Sequence, residues 1–111
     1  MKMAESLSQA VKGMQKIERE IIDQVRGRGA ALEASHFSWN NGRQLAELPK
    51  DLVHMDVRAK NVRVTADWSR TQLEDSCDRI DRMDVRQEID RIVEELAPRL
   101  LKPSKQPFSV K

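Results

Sequence analysis

The N-terminal part of the chain carries apolar residues at helical spacing. They recur at steps of four, three, three, four and four residues and are Leu7, Val11, Met14, Ile17, Ile21 and Val25. Such steps keep side chains on one face of an α-helix. Gly27 and Gly29 follow as natural stop signals. The pattern predicts an amphipathic helix over about 5–26, whose apolar face packs on a core or on a second copy of itself.

The middle of the chain changes from helical spacing to alternation. Apolar residues stand at every second position over 53–57 and again over 62–66, which is the pattern of strands with one buried face. We therefore predict a β-hairpin over about 52–67, with its valines toward a core and its His, Asp, Arg and Thr side chains toward solvent or a partner. The residues just before Asn41 and Gly42 predict one further short strand.

A helix start is encoded directly after the second alternating run. Ser69 can accept from the main chain three residues later, and the Gln72 side chain can reach back, which makes a capping box. Trp68 and Leu73 stand where a hydrophobic staple would form. These four residues predict that a helix begins at this point.

The apolar stripe of this C-terminal region is interrupted once. The step from Ile80 to Val85 is five residues, which turns the buried face by about 140°. Either one helix rotates its buried face, or a first helix ends near Arg82 and a second begins at Asp84 with Gln87 as its box partner. We favour two helices or a sharp kink. Pro98 is predicted to end this helical region.

The predicted elements define an α+β fold class: an N-terminal amphipathic helix, a β-hairpin and a C-terminal helical region. Residues 1–97 form the predicted single small domain, and residues 98–111 form a basic, Pro-containing tail. The chain has 111 residues, of which 39% are hydrophobic and 34% are charged, so it can build only a modest core. A modest core and an exposed strand edge make a homodimer a further expectation.

The net charge of +2 conceals two opposite regions. Residues 61–97 carry six basic and ten acidic groups, whereas residues 98–111 carry four basic groups and no acidic one. The single cysteine excludes an intramolecular disulfide and suits the cytoplasm. The chain turns polar soon after Met1 and has no apolar run of about 18 residues, so neither a signal peptide nor membrane contact is expected.

Candidate catalytic and metal-binding residues are few. Cys77 has acidic sequence neighbours, which disfavour the thiolate that a nucleophile needs, so we interpret it as a small core residue. His54 and Asp56 share a strand face without a matching nucleophile, and His36, His54 and Cys77 lack the close spacing of a zinc motif. We expect no cofactor and no enzyme activity, and a small hydrolase or metal enzyme is the third function considered.

Residues 61–96 resemble a ribbon-helix-helix DNA-binding unit, because an alternating strand, Ser69 and two helices follow one another. The resemblance implies a DNA-binding repressor or antitoxin, in which Arg63, Thr65 and Asp67 point into the major groove. Three features depart from that family. The connection between the helices lacks a recognisable Gly turn, the region is net acidic, and a second strand precedes Val62.

The leading prediction is a non-catalytic interaction or regulatory protein that acts by protein–protein contacts through helix faces and a sheet edge. Aspartates at every third position from 75 to 84 form an acidic strip, partly compensated by the acid-first pairs Asp75–Arg79 and Asp78–Arg82. We expect a protein partner, with nucleic acid as the alternative. The candidate partner-binding residues are Asp75, Asp78, Asp81, Arg63, Thr65, Lys102 and Lys105.

Overall fold

A computed structural model describes residues 2–40 and 52–101 of the chain, with side chains over 8–40 and 52–101. Its elements are α1 (Lys2–Gly27), a single 3-10 turn (Ala34–His36), β1 (Phe37–Trp39), β2 (Leu52–Ala59), β3 (Val62–Ser69), α2 (Arg70–Asp75) and α3 (Met83–Leu101). The strands form one antiparallel sheet in the order β1-β2-β3. The α+β prediction is confirmed, and so are the hairpin and the short strand before Asn41.

Alternation along the strands gives the sheet one buried and one polar face. In β2 the buried residues are Val53, Met55, Val57 and Ala59, and in β3 they are Val64, Ala66 and Trp68. Polar side chains occupy the intervening positions, as the sequence predicts. The strands are joined through Lys60 and Asn61, between the paired residues Ala59 and Val62. Lys60 has a φ of 57°, a left-handed conformation that suits a two-residue hairpin turn.

The apolar stripe of α1 lies inside the core of the single chain. Met14, Ile17, Ile21 and Val25 are at most 3% exposed and pack in one cluster with the inner face of the sheet and with α3. The prediction that this stripe meets either a core or a second copy is therefore resolved in favour of the core. A partner of the folded chain has no access to these four side chains.

Ser69 ends β3 and caps α2. The Ser69 hydroxyl accepts a hydrogen bond of 3.0 Å from the Gln72 main-chain N–H. The Ser69 main-chain N–H donates a hydrogen bond of 2.8 Å to Oε1 of the Gln72 side chain. Trp68 and Leu73 on either side are fully buried. The predicted capping box is confirmed, and the strand passes into the helix without an intervening loop.

The C-terminal region consists of two helices, as favoured from the step of five residues. Helix α2 ends at Asp75, so the prediction that it continues to near Arg82 is wrong. A link over 76–82 leads to α3, which begins at Met83 rather than at Asp84. The prediction that Pro98 ends the helix is wrong, because α3 continues to Leu101. Pro98 removes one main-chain donor near the end of the helix, while the buried Ala97 and Leu100 hold this last turn against the core.

Helices α1 and α2 approach each other closely at Gly13. A Cβ atom at this position would overlap the Leu73 main-chain carbonyl oxygen. A backbone atom cannot move aside as a flexible side chain can, so the absence of a side chain at Gly13 sets the distance between the two helices.

Candidate functional site

The outer face of the sheet carries charges that are paired with one another. Arg63 binds the Asp56 carboxylate with two hydrogen bonds of 3.0 and 3.1 Å, and Arg58 lies 3.3 Å from the same group. The hydrogen bond from Arg63 holds the pKa of Asp56 below its ordinary value, despite the opposing effect of burial. Beside this cluster, His54 Nδ1 lies 3.0 Å from Asp67. The charges of this face are therefore largely compensated within the sheet.

The two predicted binding residues on β3 lie on this outer face. Arg63 and Thr65 are both exposed, as alternation predicts, but the Arg63 guanidinium is already bound to Asp56. The main-chain carbonyl of Thr65 accepts a hydrogen bond of 3.0 Å from Arg91 of α3. Since β3 is an outer strand of the sheet, part of the edge that a partner strand would need is occupied by the chain's own helix.

The predicted acidic strip does not lie along one helix. Asp75 ends α2, whereas Asp78 and Asp81 lie in the 76–82 link. Arg82 binds Asp75 at 2.9 Å and Asp84 at 2.8 Å. These contacts replace the expected pairs four residues apart, because the helix ends before those pairs can form.

The remaining predicted binding residues are Asp78 and Asp81, which the structure describes, and two lysines of the tail, which it does not. Arg79 binds Asp81 at 3.1 Å. Asp78 is exposed and makes no ion pair within 8–40 and 52–101. Lys102 and Lys105, the predicted binding residues of the tail, lie outside the described residues.

A groove between α1, the 76–82 link and α3 brings together residues that lie far apart in the sequence. Its volume is about 330 Å³, and we call it the α1–α3 groove. Its apolar part comes from Ile80 and Ile89, which are half-buried and buried. The four cations that line it are Lys16, Arg19, Arg79 and Arg86.

Three of these cations have no ion-pair partner among the described residues. The side chains of Lys16, Arg19 and Arg86 make no ion pair with the part of the chain that the structure describes. The Arg79–Asp81 pair is 83% and 59% exposed, and a pair so exposed to water is weak. Glu20 and Asp90 also line the groove, so four cations face two carboxylates, and the surface is basic around an apolar floor.

A second groove of about 440 Å³ adjoins the first at Lys16 and Arg19. It is lined in addition by Lys12, Gln15 and Cys77, which is a half-buried free thiol. Cys77 therefore faces basic residues of α1 as well as its acidic sequence neighbours. It is less buried than the core interpretation predicts, because the helix ends before reaching it.

One sequence signal points to the α1–α3 groove. Lys12, Lys16 and Arg19 are spaced by four and three residues, which places them on one face of α1 beside the apolar stripe. From the sequence alone, polar residues on this face of α1 are expected to face water, since nothing local shows that Arg79 and Arg86 approach them. Only the packing of α2 and α3 on α1 reveals this set.

Other kinds of site are not formed by the described residues. Within 2–40 and 52–101, no three His, Cys, Asp or Glu side chains converge as metal ligands do. No helix in these same ranges combines the length and apolarity needed to cross a bilayer. Comparisons with protein-family models, with curated proteins and with solved structures find no match to the chain.

Proposed function

We propose that the protein is a non-catalytic interaction protein that binds an acidic segment of another protein in the α1–α3 groove. The proposal is carried by three cations that have no ion-pair partner within 8–40 and 52–101 and that surround the apolar side chains of Ile80 and Ile89. These cations are Lys16, Arg19 and Arg86. Unpaired charges around a partly apolar surface attract a partner of opposite charge and leave apolar area to bury on binding.

The mixed character of the groove favours a peptide over a nucleic-acid backbone. Ile80 and Ile89 offer contacts that a phosphate chain cannot use, and Glu20 and Asp90 would repel one. An acidic segment with an apolar residue among its carboxylates complements both features. Its carboxylates would contact Lys16 and Arg19, and its apolar side chain would cover Ile80.

Duplex DNA is the second candidate, favoured by the succession of β3, α2 and α3 with Arg63 and Thr65 on an exposed strand face. It ranks below a protein partner because Asp56 binds Arg63 and because Asp67 adds negative charge to the same face.

Cytoplasmic location and self-association are part of the same proposal. The single cysteine supports the first, and the outer edge of the sheet supports the second. Light scattering of the purified protein tests the homodimer, and a monomer at micromolar concentration contradicts it.

Charge reversal inside and outside the groove tests the main proposal. The test variant is Lys16→Glu with Arg19→Glu, and the control is Arg26→Glu with Lys60→Glu, which changes the net charge equally at exposed positions away from the groove. Fluorescence anisotropy measures binding of an acidic peptide that contains two leucines, and of a duplex DNA.

The test variant is expected to bind the peptide about tenfold more weakly than wild type, whereas the control changes affinity less than about threefold. An equal loss of peptide affinity in both variants would show that only the net charge of the protein matters, and it would contradict the proposal. Tighter binding of DNA than of the peptide, abolished by Arg63→Ala, would replace it with the second candidate.

A further inference from the structure

The two helices that form the α1–α3 groove run in the same direction. Gly13 of α1 lies against Leu73, Arg28 binds Glu94, and Gly29 lies beside Leu101. Residue numbers therefore increase in the same direction along α1 and along the C-terminal segment that packs against it. The start of the groove is formed by α1 around Lys16 and by the 76–82 link, and its end by later turns of α1 and α3.

The charges of the groove are separated along this direction. Lys16, Arg19 and Arg79 lie toward the start, where the adjoining groove adds Lys12. Glu20 directly follows Arg19 on α1 and lies in the middle of the groove, and Gln24 and Asp90 lie toward the end. The Glu20 carboxylate accepts a hydrogen bond from Gln24 at 2.8 Å and makes no ion pair within 8–40 and 52–101. Arg86 stands one turn before Asp90 on α3.

We infer that the groove accepts its partner in one direction, with the acidic residues of the segment beside Lys16 and Arg19 and a basic or amide residue beside Asp90. This inference rests on the proposed function and names the chemistry of the segment: acidic at one end, apolar in the middle and basic or amide at the other. A reversed segment would bring carboxylates against Asp90 and would leave Lys16 and Arg79 at the start of the groove without its acidic residues.

The single thiol of the chain makes the direction measurable. Cys77 belongs to the adjoining groove at the basic end. Two peptides of identical composition are compared, each with an acidic block, two leucines and a lysine block. One carries an activated cysteine beside the acidic block and the other beside the lysine block. The rate of disulfide formation with the protein thiol is followed by mass spectrometry, and peptide affinity is measured separately by anisotropy with thiol-free peptides.

A matched variant moves the thiol to the other end of the groove. It combines Cys77→Ser with Gln24→Cys, since Gln24 lines the end that contains Asp90. With wild type, the peptide activated at its acidic end is expected to react about fivefold faster than the other, and with the matched variant the preference reverses. The reversal separates direction from a general attraction of acidic peptides to a basic protein.

The outcomes distinguish the two levels of the proposal. Reaction rates that favour the acidic end at both thiol positions, or that show no preference at either, overturn the inferred direction while measured affinity still supports the groove as a binding site. Absence of any affinity in the anisotropy experiment overturns the proposed function and the direction with it.

Discussion

The outer face of the sheet and the α1–α3 groove both carry several arginines, and they differ in what those arginines contact. On the outer face, Arg58 and Arg63 share Asp56. In the groove, Arg19 and Arg86 have no acidic partner within the described residues. The number of charges therefore says little about binding. Charges that already have partners maintain the local structure, whereas unpaired charges beside an apolar floor are available to another molecule.

The largest expected effect is on the free energy of unfolding, and it comes from a substitution where α1 contacts α2. The substitution Gly13→Ala places a Cβ atom against the Leu73 main-chain carbonyl, so α1 must move away from α2. We expect this to lower the free energy of unfolding by about 3 kcal/mol. Gly27→Ala is the control, since nothing lies within 4 Å of its Cβ position, and its effect is expected below about 1 kcal/mol. Urea denaturation measures both. Equal stability of the two variants would show that the helices separate freely.

A smaller effect sharpens the account of the outer face. Asp56→Asn keeps the shape of the side chain but removes the charge that binds two arginines, and we expect a loss of about 1 kcal/mol at neutral pH, reduced by the exposure of Arg63 to water. Asp67→Asn, the matched change at the His54 pair, is expected to cost less than about 0.5 kcal/mol.

The Asp56 effect has a defined pH dependence. Its pKa in the folded protein is lowered, mainly by the hydrogen bond from Arg63, so its ionised form contributes stability above the ordinary Asp pKa, and this contribution is lost as pH falls through the folded-state pKa. Wild type and Asp56→Asn should therefore converge in acid. A difference between them that persists or grows below the folded-state pKa contradicts this role of Asp56.

The smallest effect concerns a carboxylate that behaves in the opposite way. Glu18 of α1 accepts a hydrogen bond from the Trp39 indole, and burial raises its pKa although that bond acts against the shift. A raised acid pKa means that ionisation costs stability above the ordinary Glu pKa, and that the cost disappears below it.

The corresponding variant is Glu18→Gln, which retains an acceptor for Trp39. It is expected to raise the free energy of unfolding by about 0.5 kcal/mol at neutral pH and to equal wild type in acid. Thermal unfolding at several pH values measures the difference. A loss of stability at neutral pH would show that the charge of Glu18 strengthens the bond to Trp39 more than burial weakens it.

Local signals explain how much of the fold was predictable. Ser69 and Gln72 interact across three residues, and the alternation over 53–57 needs only the pleat of one strand, so both are readable from the sequence. The end of α2 was harder to predict. Asp75 and Arg79 have ideal helical spacing, yet Arg79 binds Asp81 and Asp75 binds Arg82 once the chain has left the helix.

The candidate site was less predictable, because it depends on packing between distant segments. Lys16 and Arg86 are separated by most of the chain and become neighbours only when α3 packs along α1. The predicted binding residues Arg63 and Asp75 are charged and exposed, which sequence can suggest. That each already has a partner is a property of the tertiary structure.

The sharing of Ser69 by β3 and α2 has a mechanical consequence. With no loop between strand and helix, α2 cannot shift without changing the pairing of Ser69 with Leu52. A slip of one residue would also turn every β3 side chain to the opposite face of the sheet. The register of the hairpin therefore fixes the residue at which α2 begins. Through the link that follows α2, it also fixes the positions of Arg79 and Ile80.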